Sequence, residues 1–296
     1  MPIDYLPMQN TPCVAPVGFF DGVHLGHQHL ISQVKEKATA LGVASRIITL
    51  DSHPRQVLKQ DYQPLLLNTK EEKIALLHQT GVDDVQVLTF NEALSSLSAH
   101  DFMQKILHDR CGAQALVIGY DNRFGHNRTD AFDDYVRYGH EMGIEVIEAT
   151  PLVVGDKPVS SSRIRRLLQQ GDVEEANRLL GYDYTLTGTV VHGNHLGRTL
   201  GFPTANMGDI DSMKLIPAGG VYSVRVRGRK GMTNIGSRPT FYENSEVTVE
   251  THLLDFNDDI YGEELSISFV RRLRDERRFS SKDDLIQQLH TDMQQL

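Results

Sequence analysis

Two hydrophobic rhythms divide this chain. From Cys13 to about Ala149, short apolar runs alternate with segments whose apolar positions recur every three or four residues. "CVAPVGFF" (Cys13–Phe20) reads as a buried strand. The next segment carries Leu30, Ile31, Val34, Ala38 and Leu41 at helical spacing and stops at Gly42. "SRIITL" (Ser45–Leu50), "VQVLTF" (Val85–Phe90), "ALVIG" (Ala115–Gly119) and "IEVIEA" (Ile144–Ala149) repeat the strand pattern. "TKEEKIALLHQTG" opens on a capping Thr69 with acids in its first turn and closes at Gly81. Ser98 with Asp101 resembles a capping box ahead of Phe102, Ile106 and Leu107, and a further helix is expected around Ala131–Met142. Strands alternating with helices predict a parallel sheet with right-handed crossovers, and ligands at the carboxyl ends of its strands. After about Gly181 the rhythm changes. "YTLTGTVVH", "GVYSVRV", "EVTVETHLLD" and "LSISFV" are short and β-branched, which predicts a barrel or sandwich. The tail reads as a closing helix capped by Ser281, with Leu285, Leu289 and Met293 on one stripe. The expected class is α/β plus β-barrel, with domains at 1–183 and 184–296 meeting in a short connection near Tyr182–Thr185.

Composition narrows the partners. At 296 residues, two domains are the natural division, and 40% hydrophobic content suffices for ordinary cores. A net charge of −9 argues against a general nucleic-acid binder, which needs a basic face. Cys13 and Cys111 show no metal-ligand spacing and suit a reducing compartment. "MPIDYLPMQN" lacks a basic stretch leading into an apolar one, and no apolar run is long enough for a bilayer. A cytoplasmic protein without a membrane partner is expected. A monomer is assumed.

"GFFDGVHLGHQHL" (Gly18–Leu30) joins the first strand to the first helix. Asp21–Gly22 turns the chain, and Gly26 leaves room for a ligand to approach the backbone. The helix is expected to begin near His27, so free N–H groups and the helix dipole face whatever binds there. With His24 and His27 as imidazole donors, the corner suits a triphosphate and its developing charge. Two histidines three apart also suggest a metal site, but no third ligand stands at recognisable spacing.

"VVHGNHLGRTLGFPTANM" (Val190–Met207) carries a second candidate. Gly193 and Gly197 flank a loop able to approach phosphates, followed by Arg198. Pro203 fixes the backbone before Thr204, and Thr204 and Asn206 share a face if the segment is extended. Hydroxyl and amide together can hold hydrated Mg²⁺ and a phosphate oxygen; an ordinary turn explains them about as well. In "EVTVETHLLDF", Val247, Val249 and Leu253 share one face and Glu250 projects from the other, as surface decoration or as a general base.

Taken together, these stretches resemble a known family. "GFFDGVHLGHQHLI" looks like the HxGH nucleotidyltransferase motif of prokaryotic bifunctional riboflavin kinase/FMN adenylyltransferases, the FAD synthetases. "TLDSHPRQVL" resembles that family's T-F-x-P-H-P segment, departing at Leu50 and Ser52. "VIGYDNRFG" resembles G-x-D-F-R-F-G with Asn122 in place of phenylalanine, and "VSSSRIRRLLQQGDVEEANRLLG" resembles S-S-T-R-I-R and the helical link after it. "GRTLGFPTAN", "GGVYSV", "TNIGSRPTF", "VETHLLDF" and "FVRRLRDERRF" follow in the order of riboflavin kinases. The resemblance implies a Rossmann-like HxGH domain and a six-stranded kinase barrel with a terminal helix. It implies an enzyme that makes FMN from riboflavin and then FAD from FMN, each with ATP and Mg²⁺. For ATP it implicates Gly22, His24, His27, Ser161, Ser162 and Arg163 in the first half, with the last three gripping the triphosphate from the other side. In the second half it implicates Gly193, Gly197, Arg198, Thr204 and Asn206, the last two also toward the metal. Asp121 and Arg123 would line the nucleotide or flavin pocket, where a loop salt bridge is nearly as good a reading. Leu273 and Arg274 would contact the flavin, Glu250 would act as base, and His24 and His27 would stabilise the transition state. Arg165 also fits phosphate; Arg166 reads as a solvated helix face. The arginines Arg271, Arg272, Arg274, Arg277 and Arg278 look like an RNA patch, but Asp275 and Glu276 interrupt them in an acidic chain, so no nucleic-acid partner is expected.

Overall fold

The chain divides into two compact units, Met1–Ser160 and Ser161–Leu296, so the two helices that precede the change of rhythm at Gly181 group with the barrel. The computed structural model describes residues 10–58, 63–120, 122–126, 129–193, 196–238 and 246–296, without the side chains of 196, 198, 237, 238 and 246.

In the first unit the chain runs β1 (Cys13–Gly18), α1 (Leu25–Leu41), β2 (Ala44–Leu50), α2 (Pro54–Val57), α3 (Lys70–Gln79), β3 (Asp84–Leu88), α4 (Glu92–Ser95) and α5 (Ala99–Phe102). A π-helical turn over Met103–His108 extends α5 and leads to β4 (Ala113–Ile118), α6 (Phe132–Met142) and β5 (Glu145–Glu148), then the short pair β6 (Val153–Val154) and β7 (Lys157–Pro158). The five main strands form a parallel sheet of order β3-β2-β1-β4-β5. Strand alternation sends Ile47, Val14 and Val117 toward α1 and α3, whose Ile31, Val34 and Leu77 are fully buried. Cys13, Ala15, Ile48 and Leu116 pack on the opposite face with Phe102, Met103 and Tyr135. Each such aliphatic side chain contributes about 1.5–3 kcal/mol by leaving water. Strand order reverses at β1, so the crevice for a ligand opens between the ends of β1 and β4.

Sequence and structure differ at the first turn. Phe19 and Phe20 lie beyond β1 rather than within it, and α1 starts at Leu25 because His24 takes the capping position. Thr69 caps α3 as expected and also closes a full capping box with Glu72, and Gly42 ends α1 in the left-handed region at φ 67°.

The second unit opens with α7 (Ser161–Gln170) and α8 (Val173–Leu180). It continues through β8 (Thr185–Val191), α9 (Leu196–Thr199), β9 (Ala205–Gly208), β10 (Gly220–Val226), β11 (Arg229–Arg238), β12 (Glu246–Leu253) and β13 (Glu264–Arg274) to α10 (Lys282–Met293). Its six strands close a barrel of order β10-β11-β12-β9-β8-β13, which leaves no open sheet edge. Asn177 of α8 ties the helices to the barrel, donating to the Phe269 carbonyl at 2.7 Å and accepting from the Tyr184 amide at 2.8 Å. Ser281 caps α10 through the Asp284 amide. The expected stripe of Leu285, Leu289 and Met293 is only half-buried; the deepest side chain of α10 is Asp292, at 1% exposure. Val247 likewise stands exposed at the head of β12, while Val249 and Leu253 are buried as expected.

Candidate active sites

The first site is one continuous turn. Phe20 (φ 56°), Gly22 (φ 84°) and Val23 (φ 35°) take left-handed backbone within four residues, a cluster that costs stability for the two non-glycines and reverses the chain in minimal length. His24 then caps α1, its Nδ1 accepting from the His27 amide at 3.2 Å. With Nδ1 acting as the acceptor, Nε2 is the ring nitrogen that carries a proton. The His24 and His27 rings stack at 3.7 Å, and the edge of Phe20 meets His27 at 5.2 Å. His27 Nδ1 is buried without a hydrogen-bond partner among the described residues. Burial, and secondarily the neighbouring His24, hold the His27 pKa well below its ordinary value, so this imidazole is neutral at pH 7. The first turn of α1 holds no acid to offset its positive end. Gly26 works differently from its sequence reading. A Cβ there would lie 3.0 Å from the Val159 carbonyl and 3.1 Å from the His24 ring, so the glycine admits its own neighbours to the corner.

Asp21 anchors the turn from below. It is 4% exposed and its carboxylate accepts from the Leu67 and Asn68 amides. Beyond β4, the Asn122 amide donates to the Val17 carbonyl at the end of β1. Asp121 lies outside the described residues. Arg123 donates to the Asp130 backbone carbonyl at 2.6 Å, a contact other than the loop salt bridge considered from the sequence. Ser161, Ser162 and Arg163 form the first turn of α7, where Arg163 lies 3.3 Å from Glu175. Arg165 is buried and Arg166 exposed.

The second site is assembled by strand register. Asn206 on β9 lies directly across from Glu250 on β12, and Glu250 lies across from Asn234 on β11. Such partners have Cβ atoms roughly 4.5–5.5 Å apart and face the same side. Thr233 and Thr251, their sequence neighbours, point inward and bond each other at 2.7 Å, fully buried. The polar row therefore lies on the outer wall of the barrel, half-buried. The glycine loop folds onto it. A Cβ on Gly193 would lie 2.3 Å from Asn206 Nδ2, and one on Gly197 would lie 2.3 Å from the Phe202 carbonyl and 3.2 Å from Thr204 Oγ1. Thr204 and Asn206 thus sit under the same loop, as extended spacing predicts. The side chain of Arg198 lies outside the description.

Two family patterns match the chain: FAD synthetase over residues 6–163 and riboflavin kinase over 180–296. Curated relatives agree over nearly the full length. The bifunctional riboflavin kinase/FMN adenylyltransferase of Bacillus subtilis is 37% identical over 97% of this chain and 92% of its own. The Listeria monocytogenes protein of that description is 39% identical over 95% and 90%. The chain belongs to the bifunctional riboflavin kinase/FMN adenylyltransferase family. A solved structure described as a macrolide-efflux protein from Streptococcus pneumoniae matches at TM-score 0.88 and 32% identity, covering 98% of this chain and 96% of that one. Among the described residues no helix is long and apolar enough to cross a membrane.

Within this family frame, the adenylyltransferase match runs through Arg163 and so includes the first turn of α7, which belongs to the second unit. In the kinase half, Arg274 is held by Asp292, with Nε and the terminal nitrogen each 2.9 Å from its Oδ2. Leu273 precedes it near the end of β13, half-buried. Three other arginines of the cluster also bond within the chain. Arg271 bonds the Gln295 carbonyl, Arg272 bonds the Gln170 and Gly219 carbonyls, and Arg277 bonds Gln288. Sequence reading missed Asn234 and Asp292. Asn234 sits inside the quoted "TNIGSRPTF", but only pairing places it beside Glu250. Asp292 interrupts an apolar stripe, which was the available signal.

Proposed function

We propose that residues 184–296 transfer the γ-phosphoryl group of ATP to riboflavin, and that residues 1–183 transfer the adenylyl group of a second ATP to the resulting FMN. The functional boundary falls between residues 183 and 184. The observation that carries this reading is that Glu250, Asn206 and the glycine loop meet on one wall of a barrel, apart in sequence from the imidazole-capped helix of the first unit. In the kinase step Glu250 accepts the proton of the terminal ribityl hydroxyl as that oxygen attacks the γ-phosphorus, and ADP departs. Thr204 and Asn206 would suit Mg²⁺, because both offer hard oxygen donors, and glycine at 193 and 197 lets the loop backbone close onto them. Bound there, the ion would offset phosphate charge. Leu273 and Arg274 face the flavin ring.

In the adenylyl step an FMN phosphate oxygen attacks the α-phosphorus of ATP and pyrophosphate departs. No covalent enzyme intermediate is needed. The N–H groups at the start of α1, with His24 Nε2–H, stabilise charge on the phosphate oxygens as the bonds exchange. Gly22 permits the turn, and Asp121 and Arg123 border the nucleotide or flavin. The chain works as a cytoplasmic monomer on small molecules, with neither nucleic acid nor a membrane as partner. Glu250→Gln should lower FMN formation by about 10²–10⁴-fold and leave FAD synthesis from supplied FMN intact. His27→Ala should do the reverse. Chromatography of the flavins reads both, and loss of both activities from either folded variant would sink the two-site assignment.

A further inference from the structure

Lys73 on α3 is a charged side chain that neither transfer uses, and it is 2% exposed. Its ammonium donates at 2.7 Å to the carbonyl of Leu50, the last residue of β2, and stands 3.7 Å from the centroid of the Phe19 ring. A buried ammonium bonded to a carbonyl rather than a carboxylate is expensive, and an aliphatic side chain would fill the space without that cost. The charge therefore needs a reason, and its neighbours supply one. Phe19 leads into the left-handed residues Phe20, Gly22 and Val23. Asp21 in that turn binds the Leu67 and Asn68 amides, the two residues before Thr69, which caps the helix carrying Lys73. A closed circuit results: turn to Asp21, Asp21 to the start of α3, α3 through Lys73 back to Phe19. Phe20 continues it to His27.

We infer that Lys73 is a positioning residue for adenylyl transfer: its ammonium clamps Phe19 and the end of β2, and so holds the turn that presents His24, His27 and the start of α1. This rests on the assignment of adenylyl transfer to that turn. The groups facing Lys73 are Asp21 from the turn, Asp51 beyond β2 and Lys70 on its own helix, with His53 against the edge of Phe19. Burial brings the Lys73 pKa down to about 8, opposed by Asp21 and Asp51 and aided by Lys70. The cation is complete below that pH and lost above it.

The test uses the full chain and follows FAD formed from supplied FMN between about pH 6 and pH 10, with FMN formation from riboflavin as the internal control. The parent's adenylyl kcat should fall as pH rises through about 8. Lys73→Arg, charged throughout, should remove that limb and keep kcat at pH 7 within about threefold. Lys73→Met should lower kcat by about 10²-fold at pH 7, with KM for FMN nearly unchanged and the kinase step intact. A Lys73→Met chain that keeps the parental adenylyl kcat overturns the inference. So does a limb near pH 8 that persists in Lys73→Arg, which decides the matter even if Lys73→Met fails to fold. A parent chain that makes FMN but no FAD overturns the underlying assignment, and the inference with it.

Discussion

The two sites are built in opposite ways. The first is local: Phe20, Gly22, Val23, His24 and His27 lie within eight consecutive positions, and a strained turn with a histidine cap arranges them. The second is non-local: Gly193, Asn206, Asn234 and Glu250 come from four separate segments, brought to one wall by β9–β12–β11 pairing. A site made from one turn carries its geometry in its own backbone conformation. A site made by register depends on every strand around the barrel being paired correctly, since a slip of one residue would turn Glu250 into the interior. The second site should therefore be the more sensitive to distant changes.

The largest expected effect tests that dependence at a distance. Asp292→Ala leaves Arg274 half-buried without its carboxylate and should destabilise the second unit by about 3–5 kcal/mol. Urea unfolding monitored beside both activities would show it as early loss of FMN formation with FAD formation retained; equal loss of both would break the contrast. A smaller effect comes from one substitution made in each site. Gly197→Ala forces a Cβ to 2.3 Å from the Phe202 carbonyl, so the loop must move, and kcat/KM for the kinase step should fall about 10²-fold. Gly26→Ala meets its neighbours at 3.0 Å, which a shift of a few tenths of an ångström relieves, so FAD formation should fall only about threefold. The smallest effect is a titration. Because the His27 pKa in the fold lies below the ordinary 6.5, acid protonates the unfolded chain first. The folded ring should stay neutral as pH falls through 6.5, and the first unit should lose stability below that point. An NMR titration in which the His27 ring shifts with a midpoint at its ordinary value would remove the structural reason for a buried, neutral imidazole.

Legibility followed the same division. The capping Thr69, the terminal Gly42 and the change from helical to strand period at Gly181 could be read directly, because each is a short-range signal with a backbone cause. The turn at Gly18–Leu30 could be read as a candidate phosphate-handling corner. Its details did not: one-dimensional spacing could not tell that His24 would take the cap, or that the His24 ring and the Val159 carbonyl would use the room Gly26 leaves. In the second unit, "GFPTAN" and the alternation around Glu250 were visible separately, but nothing in the linear order says they face each other.

The sequence by itself determined the class of each half, the boundaries of most elements and the identity of the chemical groups, because periodicity, capping and turn residues act over a few positions. Only the tertiary structure decided which groups meet. Barrel closure set Asn206, Glu250 and Asn234 in one row, packing drew Asp292 to Arg274, and folding carried the Lys73 ammonium against the Phe19 ring. Each of these depends on contacts between residues distant in the chain, which chain entropy opposes and only the assembled core holds in place.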